Sequence, residues 1–139
     1  MVKKYDLNQI DAIAESLVAT FEHNIILLKG DLGAGKTTLV NAIAKQLGSN
    51  EEVSSPTFGI VNELNIANTT AFHMDLYRIE NSDELQQFGF DEYLHNGDYC
   101  FIEWPQIIHN YLPEDIIWIK ISAQLSGERL FEIYCEELD

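Results

Sequence analysis

IILLKGDLGAGKTTLVNAIAKQLG, Ile25 to Gly48, is the stretch that decides the fold. A short apolar run breaks into glycines and resumes with apolar residues at helical spacing, so it reads as strand, loop and helix. Gly30, Gly35, Lys36 and Thr37 stand at the fixed places of G-x-x-x-x-G-K-[ST], a phosphate-binding loop. Glycines at 30, 33 and 35 permit backbone conformations that a Cβ would forbid. Successive amides across Asp31, Leu32, Gly33, Ala34 and Gly35 can then turn inward around an anion. The helix that follows adds its positive end and the unpaired amides of its first turn, Lys36 to Thr38. Lys36 is expected to reach the β- and γ-phosphates of a nucleoside triphosphate, and the Thr37 hydroxyl to take one position on Mg²⁺. A glycine-rich turn that binds nothing is the alternative. The strand before the loop and the helix after it favour phosphate binding.

Outside this stretch, composition sets bounds. At 139 residues the chain is expected to form one domain, residues 1–139, so any substrate or partner must use the same small body. A hydrophobic share of 46% excludes wholesale disorder. No apolar run approaches the roughly 18 residues that span a bilayer. No positive and apolar leader precedes the first amphipathic segment, which points to a cytoplasmic protein without a membrane partner. Cys100 and Cys135 both sit in apolar strand-like runs, the pattern of core packing in a reducing compartment rather than of a disulfide or metal site. Charge is the unusual feature, with eight basic against twenty-three acidic side chains. Residues 1–70 carry five basic and eight acidic side chains, residues 71–139 three and fifteen. Such a surface repels nucleic acid phosphate, so binding to DNA is not expected and any function on RNA should pass through another protein.

Along the chain, Ile10, Ile13, Ala14, Leu17, Val18 and Phe21 recur at helical spacing and predict a helix over Asn8 to Phe21, capped by Asp6 or Asn8. Ile25 to Lys29 shows no alternation, as in a strand covered on both faces of a sheet. A helix is predicted over Thr37 to Leu47, with Gly48 ending it. SPTF, Ser55 to Phe58, is either an ordinary turn that starts a strand over Phe58 to Leu64 or, beside a phosphate loop, a switch segment whose Thr57 senses the γ-phosphate. Asn68 to Thr70 resembles a hairpin connection, and Ala71 to Tyr77 the returning strand. Asp75 near its end is a solvated terminus or a carboxylate facing Mg²⁺ and water, and His73 a packing residue, a hydrogen-bond bridge or a direct participant. Two short acidic helices follow, Asn81 to Phe88 with Asn81 and Glu84 spaced as a capping box, and Phe90 to His95. Their acids form a solvated face or a docking surface. Tyr99 to Ile102 is an apolar run closed by Glu103, which puts a fixed anion at the carboxyl edge of the sheet, where ligands bind. Pro105 opens a predicted short helix, PQIIHNYL. Strands over Asp115 to Ala123 and Leu130 to Cys135 then form a hairpin that makes the sheet mixed. The fold class is therefore α/β, a three-layer phosphate-loop NTPase-like domain with a mixed sheet flanked by helices.

Four signatures now stand in one order: GDLGAGKTT at Gly30 to Thr38, SPTF at Ser55 to Phe58, HMDLYR at His73 to Arg78 and EWP at Glu103 to Pro105. Together they resemble the TsaE (YjeE) family over nearly the whole chain. The resemblance implies an ATPase of tRNA threonylcarbamoyladenosine biosynthesis. It would act on the TsaB and TsaD proteins, which transfer the threonylcarbamoyl group to adenosine 37, without performing the transfer itself. It implies ATP and Mg²⁺ as ligands, Lys36 and Thr37 as phosphate and magnesium residues, and Thr57 as the switch position. It also implies that Asp75 takes part in hydrolysis, that Glu103 is the magnesium-linked carboxylate, and that Trp104 is the tryptophan after it. Phe58 stands where the family often has Tyr, and Gly127 to Arg129 resembles a basic element near the nucleotide.

Two other functions share the phosphate loop. A small-molecule kinase normally needs an arginine-bearing lid, and the chain has only Arg78 and Arg129 and no inserted segment. A GTP-dependent switch usually carries N-K-x-D, which is absent, so adenine is favoured, by that absence and by the resemblance, which also implies that the chain meets tRNA only through TsaB and TsaD.

Overall fold

A computed structural model of the chain describes residues 2–21, 23–30, 35–49, 61–66, 68–87, 89–104, 108, 116–124, 126 and 129–134. In chain order the elements are β1 (Val2–Tyr5), α1 (Ile10–Thr20), β2 (Ile25–Lys29), α2 (Lys36–Gln46), β3 (Val61–Ile66), β4 (Thr69–Asp75), α3 (Ser82–Gln87), α4 (Phe90–Asn96), β5 (Tyr99–Glu103), β6 (Ile116–Ala123) and β7 (Arg129–Tyr134). The strands form one 7-stranded sheet in the order β1-β7-β6-β2-β5-β4-β3. β2 runs parallel to β5 and β6, and β4 parallel to β5. The β3–β4 and β6–β7 hairpins are antiparallel, and β1 lies antiparallel on β7. The sheet is thus mixed, with β2 in its parallel centre.

The unbroken apolar run of β2 has its cause in that position. Ile26 and Leu28 face α1 and α2 together with Ile13, Leu17, Leu39 and Ile43, while Ile25 and Leu27 face the opposite side with Leu85 of α3 and Phe90 and Leu94 of α4. Because successive side chains of a strand point to opposite faces, a strand buried on both must be apolar throughout. Helices therefore cover both faces, giving three layers. Among the described residues no helix is long and apolar enough to cross a membrane.

Several boundaries differ from those expected, each for a local reason. Residues 7–9 form a tight 3₁₀ turn, in which the Gln9 side-chain oxygen accepts the Asp6 N–H at 2.9 Å, so the first α-helix starts at Ile10 rather than Asn8. β4 stops at Asp75, not Tyr77, because the Asp75 carboxylate accepts the Tyr77 N–H at 3.0 Å and turns the chain. The capping-box spacing is used at α3: Asn81 accepts the Glu84 N–H at 3.2 Å and the Glu84 carboxylate accepts the Glu80 N–H at 2.8 Å. Gly48 closes α2 at φ 109, a left-handed conformation suited to glycine. β1 was not expected from its sequence. The strand start at 58–60 and the helix over 105–112 lie outside the described residues, Ile108 excepted, which is buried.

Cys100 is a free thiol in the core, and its S–H donates to the Tyr93 carbonyl at 3.2 Å. Burial pushes this thiol from 9.0 up to about 12, so at pH 8 its thiolate fraction falls roughly 10³-fold below that of an ordinary cysteine. In a Cys135→Ser background, iodoacetamide is expected to label Cys100 at pH 8 only on the timescale of unfolding. Labelling at the free-cysteine rate would contradict its placement in the core.

Candidate functional site

Three adjacent parallel strands end together. In register, Leu28 of β2 lies beside Glu103 of β5, and Glu103 beside Asp75 of β4. This is the carboxyl edge of the sheet, where open α/β folds bind ligands. The chain leaves β2 at Gly30 and returns as α2 through Gly35, whose φ of 104 is left-handed. Gly35 thus sets the N-terminus of α2, with its positive end, at the same edge.

Lys36 opens α2 and is only 5% exposed. Its ammonium folds back to donate to the Gly30 carbonyl and stands 3.7 Å from the centre of the Trp104 ring. A lysine confined in this way holds a positive charge at the mouth of the loop, out of bulk water. Trp104 adopts φ 57, unusual for a non-glycine residue. It follows Glu103 directly, and its ring lies 4.9 Å from that of Tyr77, which is 57% exposed.

Thr37 donates its hydroxyl to Glu103, at 3.0 Å from Oε2 and 3.3 Å from Oε1. Glu103 is 3% exposed, and His73 of β4 meets its Oε2 through Nε2. A buried carboxylate is costly unless donors surround it. Here one donor comes from the helix and one from the neighbouring strand. His73 and Asp75 share a strand face by the period of two, and the register sets them opposite Phe101 and Glu103. Asp75 is half-buried beside Glu103. Among the described residues its one side-chain hydrogen bond is to the Tyr77 amide, the contact of a strand terminus.

The structure therefore brings Lys36, Thr37, Asp75 and Glu103 to one edge. Thr38 lies exposed in the first turn of α2. Arg129 starts β7 opposite Ala123, the last residue of β6, so its backbone is at the same edge. Asp31, Leu32, Gly33, Ala34 and Thr57 lie outside the described residues. The sequence left the role of His73 open, and it did not connect Tyr77 with Trp104. The alternation of HMDLYR could have placed His73 and Asp75 on one face, but not beside Glu103.

The residues present fit a hard divalent cation. Among the described residues no group of three or more His, Cys, Asp and Glu side chains could hold a metal ion. The Thr37 hydroxyl and Glu103 carboxylate are both oxygen donors, the type Mg²⁺ takes when phosphates and water complete its shell. A confined ammonium, a helix N-terminus and this oxygen pair can together hold a polyphosphate and its cation.

The family model described as "Threonylcarbamoyl adenosine biosynthesis protein TsaE" matches residues 5–131. A Bacillus subtilis protein named "tRNA threonylcarbamoyladenosine biosynthesis protein TsaE" is 40% identical over 124 residues, which cover 83% of this chain and 77% of that protein. A Rickettsia conorii protein of the same name is 38% identical over 123 residues, 87% of this chain and 70% of that one. The crystal structure of YdiB from Bacillus subtilis superposes with a TM-score of 0.72 at 30% identity, covering 99% of this chain and 88% of that chain.

Proposed function

Because the chain belongs to the TsaE family, we propose that it serves tRNA threonylcarbamoyladenosine biosynthesis as an ATP-binding and ATP-hydrolysing component that acts on the TsaB and TsaD proteins. The observation that carries the proposal is the contact of the Thr37 hydroxyl with the buried Glu103 carboxylate, beside Lys36 at the start of α2. A structural turn has no need of a lysine, a hydroxyl and a buried carboxylate converging on a helix N-terminus.

The loop amides and Lys36 bind and orient the triphosphate, and Thr37 and Glu103 hold Mg²⁺. Mg²⁺, when bound, neutralises charge on the β- and γ-phosphate oxygens. Asp75, next to Glu103 on the same face, is the carboxylate assigned to orienting water, and Thr57 and Arg129 are assigned to the nucleotide. The chain has two arginines, Arg78 and Arg129, and phosphate-loop hydrolases often take the arginine that stabilises the γ-phosphate from a partner. On this reading hydrolysis by the isolated protein is slow, and a group from TsaB or TsaD completes the site. The acids of α3 and α4, Asp83, Glu84, Asp91 and Glu92, give that encounter its electrostatic character and keep tRNA at a distance.

The test is to measure ATP hydrolysis with and without the TsaB and TsaD pair, and to co-purify the three proteins with and without ATP. Turnover is expected to rise by about 10³-fold or more in the complex, the range for a charge supplied by a partner. Capture that is indifferent to nucleotide, with no rise in turnover, would overturn the proposal.

A further inference from the structure

We propose that His73 is a positioning residue for the metal site: it donates a hydrogen bond through Nε2 to Glu103 and so fixes the carboxylate that faces Thr37. The inference deepens the reading of the site as one for Mg²⁺ and ATP and rests on it.

His73 is fully buried, and so is its partner Phe101 across the β4–β5 ladder. The ring lies two residues back from the edge pair Asp75–Glu103, on the same face of the sheet and beneath Glu103. Nε2 meets Glu103 Oε2, and because a carboxylate only accepts, Nε2 must carry the proton. Nδ1 is buried and has no hydrogen-bond partner among the described residues. A proton there would be a buried donor without an acceptor, whereas an unprotonated Nδ1 leaves only a bare lone pair. One tautomer therefore meets both demands, a ring with its hydrogen on Nε2. Fixed by strand packing, that ring has one polar task, which is to hold Oε2.

The geometry also explains why the carboxylate needs a second donor. Thr37 touches both carboxylate oxygens. If the Thr37 hydroxyl turns to a cation, Glu103 loses that bond, and among the described residues only His73 keeps the carboxylate in place. Partners that orient a ligating side chain in this way typically affect metal affinity by about 10- to 100-fold. A mere packing residue would act through stability alone.

The experiment compares wild type, His73→Leu and His73→Gln. Leucine keeps much of the volume and removes the donor. Glutamine carries an amide nitrogen at a reach close to that of Nε2. Mn²⁺ binding in the presence of a non-hydrolysable ATP analogue, followed by electron paramagnetic resonance, reads metal affinity without catalysis. Nitrogen-15 spectra of the nucleotide-free wild type read the tautomer of His73. The expected results are an Nε2–H ring in wild type, affinity about 10- to 100-fold weaker in His73→Leu, and affinity restored to within a few-fold of wild type in His73→Gln. Wild-type affinity in folded His73→Leu would overturn the inference, as would equal weakening in both variants or a ring protonated on Nδ1. If wild type binds neither metal nor analogue, the reading of the site as one for Mg²⁺ and ATP fails, and this inference with it. If wild type binds and His73→Leu matches it, the inference fails alone.

Discussion

Lys36→Ala is expected to abolish useful ATP binding. In the proposed site, where the loop otherwise offers neutral amides, the Lys36 ammonium would be the full positive charge on the phosphates, and charge-assisted hydrogen bonds are about twice as strong as neutral ones. It is already held at the loop mouth by the Gly30 carbonyl and the Trp104 ring, so little ordering remains to oppose binding. Losing two such contacts should weaken affinity by roughly 10²-fold or more. Since the side chain is buried, alanine also removes stem packing, and Lys36→Met, which keeps most of the stem, separates the two effects. Calorimetric titration with ATP decides the outcome. If both variants bind as wild type does, the loop is a structural turn.

Glu103→Gln should give the second large effect, with a different signature. Glutamine keeps the shape of the side chain and an oxygen that can accept from Thr37 and His73, so the fold should survive. What disappears is the charge proposed to hold the cation. ATP should then still bind while turnover falls by about 10² or more, a loss in kcat rather than in affinity. Asp75→Ala provides the contrast. If Asp75 orients water it should behave like Glu103→Gln. If it is only a strand terminus accepting the Tyr77 amide, turnover should stay at the wild-type level. Single-turnover rates at saturating ATP distinguish these outcomes.

The parts of the fold legible in the sequence were those set by neighbours in the chain. β2 has the bounds read from its apolar run, and α2 begins within one residue of its predicted start, because glycine spacing and helical periodicity are local signals. β1 was invisible: Val2–Tyr5 holds two lysines in four residues, shows no apolar alternation, and is a strand because β7 lies beside it. The site divides in the same way. Lys36 and Thr37 follow from a motif, and Glu103 from its place at the end of an apolar run. The pairing of His73 with Glu103 depends on β4 lying next to β5 in one register, which no local pattern encodes. A shift of that register by one residue would turn His73 to the opposite face.

The pairing of β1 with β7 also bears on the order in which the molecule can assemble. Tyr5 pairs with Arg129, and β2 finds its neighbours only in residues 100–103 and 116–120. At about 5–20 residues per second, β1 leaves the ribosome on the order of ten seconds before its partner exists. Through that interval it is an unpaired strand, and Lys3 and Lys4 discourage it from pairing with another chain. The α1–α2 contact and the β3–β4 hairpin can form early, since their partners are close in sequence. Closure of the β1 edge comes last, so an N-terminal fusion should slow the final step of folding while leaving the helix that carries Lys36 and Thr37 free to form.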